Sequence, residues 1–177
     1  MACWTHIAHN SFSAPASSVT WTSIPTDGTY DHLLLLASVR SNRSADHDSV
    51  RIGFNDRDTA GDYSTTSILS YGSGSNVAIR TANNTAQAPK FLGDITGGNS
   101  TANCFGLVKI WIPDYARSDR MHSAVCQVTR EDTDSFAIEQ CHLLFEYAEA
   151  IDEIYLGLNG GSFIAGCEFT LIGVKGA

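Results

Sequence analysis

Fixed charge is scarce in this chain. Charged residues make up 17% of its 177 positions, against 43% hydrophobic ones. The surface must therefore be built from Ser, Thr, Asn and Gly rather than from ion pairs, which suits β proteins and proteins that make contacts. Positive charge is scarcest: 11 Lys and Arg stand against 19 Asp and Glu, for a formal net charge of −8. The cations are scattered and form no basic stripe, which excludes nucleic-acid binding as a main function. Long apolar runs are lacking too. The longest, Leu33–Ala37, is far too short to cross a bilayer, so no membrane partner is expected. The opening "MACWTHIAHNSF" has neither a basic stretch nor a long apolar core, so no secretory leader is expected. The triplets "NRS", "NNT" and "NST" then read as loop composition rather than glycosylation sites.

No C-x-x-C pair occurs among Cys3, Cys104, Cys126, Cys141 and Cys167, which removes the usual signal for a zinc or thioredoxin-like centre. Their odd number argues against a complete disulfide framework. Their neighbours, as in "NCFGLV" and "AVCQV", are apolar or small, so buried reduced thiols are expected. A nucleophilic cysteine assisted by His122 or His142 is the functional alternative.

Helical periodicity is also missing. Period-two alternation and turn punctuation recur instead. "SVTWTSI", "SVRIGFN", "NVAIRT", "RMHSAVCQVTRE", "CHLLFEYA", "IDEIYLGLN" and "CEFTLIGVK" read as strands. "DHLLLLASVRS" reads as a central strand buried on both faces, and "NCFGLVKIWIP" as a long strand ended by Pro113. "IPDYARSD" is compatible with one helical turn and "EYAEAIDEI" with a short helix. Between the strands lie Gly-, Asn- and Asp-rich turns such as "PTDGTY", "SNRSADHD" and "LNGGSF". Many strands at short spacing predict an all-β fold: an antiparallel, jelly-roll-like β-sandwich spanning residues 1–177 as a single domain.

"FNDRDTAGDY" is the densest group of carboxylates. Asp56, Asp58 and Asp62 with Asn55 offer oxygen ligands for calcium. The spacing does not fit the helix–loop–helix calcium pattern, however, and Arg57 competes for the same carboxylates. A polar turn leaving a strand is the preferred reading, and no cofactor is expected. In "ADHDS", Asp46 and Asp48 share one face of a strand while His47 points away, a poor arrangement for a metal. "YGSGSN" lacks the Lys of a phosphate loop and reads as a turn. No G-x-S-x-G or H-E-x-x-H occurs. Glu139, His142 and Glu146 are the residues from which a paired-carboxylate hydrolase would have to be assembled. Trp4, Trp21, Trp111 and Tyr63 are expected to plug the core rather than to stack on sugars.

The order of segments carries a resemblance. "SVTWTSIP", "TYDHLLLLASVRS", "VRIGFNDRDTAGDYSTTSIL" and "YGSGS", followed by "CFGLVKIWIPDYAR" and "IDEIYLGLNGGSFIAGCEFTLIGVKG", resemble a pattern common among structural proteins of tailed bacteriophages. The likeness extends over roughly residues 17–176 and consists of turns and core positions, with no catalytic residue among them. It departs at "TLIGVKG" and in the more acidic turn at Asp56–Asp58. It implies a β-sandwich virion protein, often trimeric, serving as capsid decoration, head fibre or tail-fibre tip.

The expectation is therefore a non-enzymatic virion protein made in the host cytoplasm. It is expected to act as a decoration or cement protein that bridges capsid subunits at the head surface. Its partners would be the major capsid protein or other virion proteins and further copies of itself, a trimer being favoured. Trp4, near the start of the first expected strand, Asp46, His47, Asp48, Asp56 and Asp58 are the candidate contact residues, on that N-terminal strand and on the polar loops. The alternative is a tail-fibre or baseplate module that recognises host glycans.

Overall fold

Alternation becomes strand wherever one side of the chain can be buried. In the computed structural model, residues 3–57, 61–72, 76–81, 90–130 and 136–176 are described. They form twelve strands and no helix: β1 (Cys3–Ser11), β2 (Ser18–Trp21), β3 (His32–Val39), β4 (His47–Phe54), β5 (Tyr63–Tyr71), β6 (Asn76–Thr81), β7 (Lys90–Thr96), β8 (Gly106–Pro113), β9 (His122–Arg130), β10 (Ala137–Phe145), β11 (Ile154–Leu158) and β12 (Glu168–Lys175). Every pairing is antiparallel.

The pairing order is that of a jelly roll with two additions. One sheet runs β1-β12-β3-β8-β9-β10-β5-β6 and the other β2-β11-β4-β7. Taken in chain order, β1, β2, β3, β4, β7, β8, β11 and β12 pair first–eighth–third–sixth in one sheet and second–seventh–fourth–fifth in the other. That is the jelly-roll arrangement. The remaining strands are two insertions, β5–β6 between β4 and β7, and β9–β10 between β8 and β11. Both dock beyond β8 and extend the same sheet.

The core lies between the sheets. Leu33, Leu35, Ile110 and Cys126 line it from the larger sheet; Ile52, Leu92 and Leu156 meet them from the smaller one. Phe163 and Phe169 pack edge to face at 5.1 Å, and Phe54 and Phe145 do so at 5.5 Å. Such pairs add about 0.5–1.5 kcal/mol each beyond their buried area. Register breaks twice: Ile7 is the extra residue in β1, and Leu92 is the extra residue in β7. Gly93, beside the second bulge, has φ 152, and a Cβ there would meet Val128 and Glu139 at 2.9 Å, so β7 reaches the larger sheet only because this position is glycine.

The Leu33–Ala37 run is an interior strand as expected, but it is not buried on both faces throughout, since Leu36 is half-buried and Ser38 exposed on the outer side. Leu33 and Leu35 face the core, and Leu34, facing out, is also buried between Ile172 and Trp111 in register. "EYAEAIDEI" is not a helix, because neighbouring segments take up its backbone. Glu146 N–H donates to Asp62 O, Ile151 N–H to Tyr115 O, and Asp152 O accepts from Ile24 N–H. "IPDYARSD" makes one turn closed by Arg117 N–H to Asp114 O at 3.1 Å, and Asp114 at φ 51 is left-handed, so no helix starts there. Strands β5 and β7 are additions to the sequence reading.

Candidate functional site

The carboxylate loop is built from its first residues. Phe54 ends β4 inside the core. Asn55 and Asp56 then take φ 52 and 54, and Phe54 O accepts the Arg57 N–H at 2.9 Å. Positive φ at both central residues of such a turn favours Asn and Asp. The turn carries the chain from the smaller sheet to the larger. Asn55 is consumed by it: Oδ1 accepts from the N–H groups of Asp152 and Glu153, while Nδ2 donates to Ala150 O and Glu149 Oε1. Arg57 forms a two-pronged pair with Glu149 at 2.9 and 3.1 Å and lies 4.3 Å over the Tyr147 ring. Its guanidinium holds the Glu149 carboxyl below the usual range. Tyr63 closes the loop from beneath, donating to Arg57 O and accepting from Phe54 N–H; burial pushes its hydroxyl well above the ordinary tyrosine value.

The three aspartates do not share one environment. Asp56 is exposed on an open hollow of about 510 Å³ with Thr26, Arg57 and Asp152. Asp62 is buried, and Asp58 lies outside the described residues. Among the described residues no three His, Cys, Asp or Glu side chains come together as a metal site.

"ADHDS" divides in the same way. Asp48, a candidate contact residue from the sequence, is fully enclosed, so its carboxylate works within the fold. Oδ2 accepts from Ser41 Oγ at 2.7 Å, Oδ1 accepts from the N–H groups of Ser49 and Gly160, and Arg43 lies 3.5 Å away. His47 is half exposed, 3.7 Å from Asp94. Asp46 is exposed, and its carbonyl accepts from Gly97 N–H and Ser100 Oγ. Trp4 stands 61% exposed near the start of the edge strand β1, opposite Val174. Trp21 and Tyr63 are buried as expected, and Trp111 is half-buried on the outer face against His32.

Sequence reasoning missed Arg40. Its buried guanidinium donates to the carbonyls of Gly98, Ser100, Thr101 and Cys104, so one cation gathers a whole loop. The "VRS" at the end of β3 is the only sequence trace of it.

The hydrolase trio does not assemble. Glu139 points inward, where burial raises its carboxyl; His142 is exposed on the opposite side of β10, and Glu146 lies past the strand end. Cys126 and Cys141 are cross-strand partners in the core, and burial pushes the Cys126 thiol up, away from the thiolate that a nucleophile needs. Cys167 is buried as well. Cys3 is exposed and Cys104 half-buried, which corrects the expectation of five enclosed thiols.

The outer face of the sheet extension carries large apolar side chains among uncharged polar ones. Ile68, Leu107, Val125 and Ile138 point outward, each at least 40% exposed. Phe136, half exposed, lies over Gly72 at the rim, where a Cβ would collide with its ring.

No family model matches the chain, and no curated protein matches it. Among solved structures, chicken galectin 2 is similar at 14% identity over 89% of this chain and 98% of that one, with a TM-score of 0.26. At that TM-score the likeness carries no statement about activity.

Proposed function

We propose that this chain is a structural protein of a tailed-bacteriophage particle. Its favoured place is the capsid surface, as a decoration protein that bridges neighbouring capsid subunits and assembles with further copies of itself, a trimer being the expected form. The virion assignment comes from the resemblance in segment order. The observation that supports a contact-making role is the division of labour among the side chains. The charged side chains of Asp48, Arg57 and Glu149 bond within the fold, while large apolar side chains stand exposed on the extended sheet. A cement protein works by buried area and shape. Loops tied by internal hydrogen bonds and a broad face with little charge serve that mechanism.

The second reading is a glycan-recognising tail module. It is favoured by exposed Trp4 and by an open hollow of about 620 Å³ between β1 and β2, where Trp21, Tyr30, His6 and His9 gather. Particle fractionation separates the two. The decoration reading expects the protein on tailless heads and on intact particles alike. Its presence in tail fractions alone would reject that reading in favour of the second.

A further inference from the structure

We infer that the outer face of the sheet extension, built by β8, β9, β10 and β5, is the surface through which one copy of this chain docks on another. The inference rests on the reading of the chain as an assembly-forming protein and names the surface that does the assembling.

Register defines the face. Buried residues of these strands pair with buried residues across the sheet: Val108 with Val128, Cys126 with Cys141, Leu143 with Thr65. The alternate positions all point outward. On β9, β10 and β5 none of these outward positions is Asp, Glu, Lys or Arg; β8 contributes Lys109 alone. In a chain of net charge −8 that is a strong segregation of charge. The apolar members are interspersed with uncharged polar ones in register: Leu107 bonds to Thr129, which pairs with Ile138, Val125 pairs with Trp111, and Ile68 pairs with Gln140.

Charge and size together select a second copy as the occupant. A face without fixed charge finds its complement in another such face. Elsewhere two copies of an acidic chain repel, so other orientations are disfavoured. Strands ~4.8 Å apart and residues ~3.4 Å apart make four strands of this length a face of roughly 600 Å² in projection. A stable interface buries about 800 Å² per partner, so the face with its rim at Phe136 and Trp111 is of the needed order. The position in the fold agrees: these strands, β8 apart, are the insertions beyond the jelly-roll core, so the added elements carry the added surface.

The test is the mass of the purified full chain by light scattering across a concentration series, with Ile68→Glu/Ile138→Glu beside it. Both side chains already face solvent, so the variant is expected to keep its β circular-dichroism spectrum. The wild type is expected to run as two or more copies and the variant as one; Thr26→Glu, in the polar hollow, is expected to keep the wild-type mass. If the double variant loses its β spectrum, Val125→Lys replaces it with the same expected mass of one copy. A wild type that is monomeric throughout, or a folded face variant that retains the wild-type mass, overturns the inference. Either result leaves the fractionation of heads and tails to be decided independently.

Discussion

Asp48 and Arg40 hold charge where water scarcely reaches, and each ties together segments far apart in the chain. Asp48 joins the end of β3 to the turn after β11 through three donors, and Arg40 gathers the stretch from Gly98 to Cys104. Removing the Asp48 carboxylate strands those donors. Asp48→Ala is expected to cost about 3 kcal/mol, whereas Asp48→Asn keeps one acceptor for the backbone N–H groups and is expected to cost about 1 kcal/mol. Denaturant unfolding measures both, and equal losses would contradict this account of the junction. Glu139 behaves in the opposite sense. Burial raises its carboxyl, nearby Asp94 adds to the rise, and the hydrogen bond from Ser67 opposes it. Its folded form therefore holds a proton more tightly than the unfolded chain does. The stability it contributes is complete below the unfolded value of 4.5 and is lost as pH rises through the folded value. Glu139→Gln escapes that loss. It is expected to melt with the wild type near pH 4 and above it at pH 7; a lower melting temperature at pH 7 would contradict the assignment.

At the scale of elements, the turn from Phe54 to Arg57 shows what the sequence made legible and what it did not. Its polar composition and its place at a strand end identified a turn. Its purpose, holding the segment from Glu149 to Glu153 against the end of the sandwich, depends on residues some ninety positions away, which no local pattern reveals. Asn55 performs two tasks there, the left-handed φ and four side-chain hydrogen bonds. Asn55→Gly keeps the backbone freedom and loses the bonds, while Asn55→Ala loses both. The expected order of thermal stability is wild type, then Gly, then Ala, with the Ala variant down by about 2 kcal/mol or more. An Ala variant as stable as the Gly variant would show that the backbone conformation carries no cost. The same distance limit explains other differences. "EYAEAIDEI" has helix formers, but its N–H and C=O groups are claimed by Asp62, Tyr115 and Ile24. β5 was obscured because the outward and inward positions of "YSTTSILSY" are both largely Ser and Thr, so alternation is weak there.

For the whole molecule, a jelly-roll-like antiparallel sandwich was readable from short alternating segments and their turns, whereas the two insertions and the sheet they extend were not. Insertions and core strands have the same local pattern and differ only in their partners. The exposed apolar side chains of the outer face left a trace in the sequence. Leu107, Val125, Ile138 and Ile68 occupy the polar phase of their strands, a signal that becomes readable only once register shows them on one surface. The contact residues expected from the loops are correspondingly reduced, since Asp48 is enclosed while Trp4, Asp46 and Asp56 remain exposed. As proposed, this protein works by contact at the head surface of a phage particle. Cryo-electron microscopy of the intact particle tests it most directly. The expected result is density for this fold on the capsid shell across neighbouring subunits, with the faces of the sheet extension apposed between copies. Density for it on the tail fibre or baseplate alone, with the shell bare, would reject the capsid assignment.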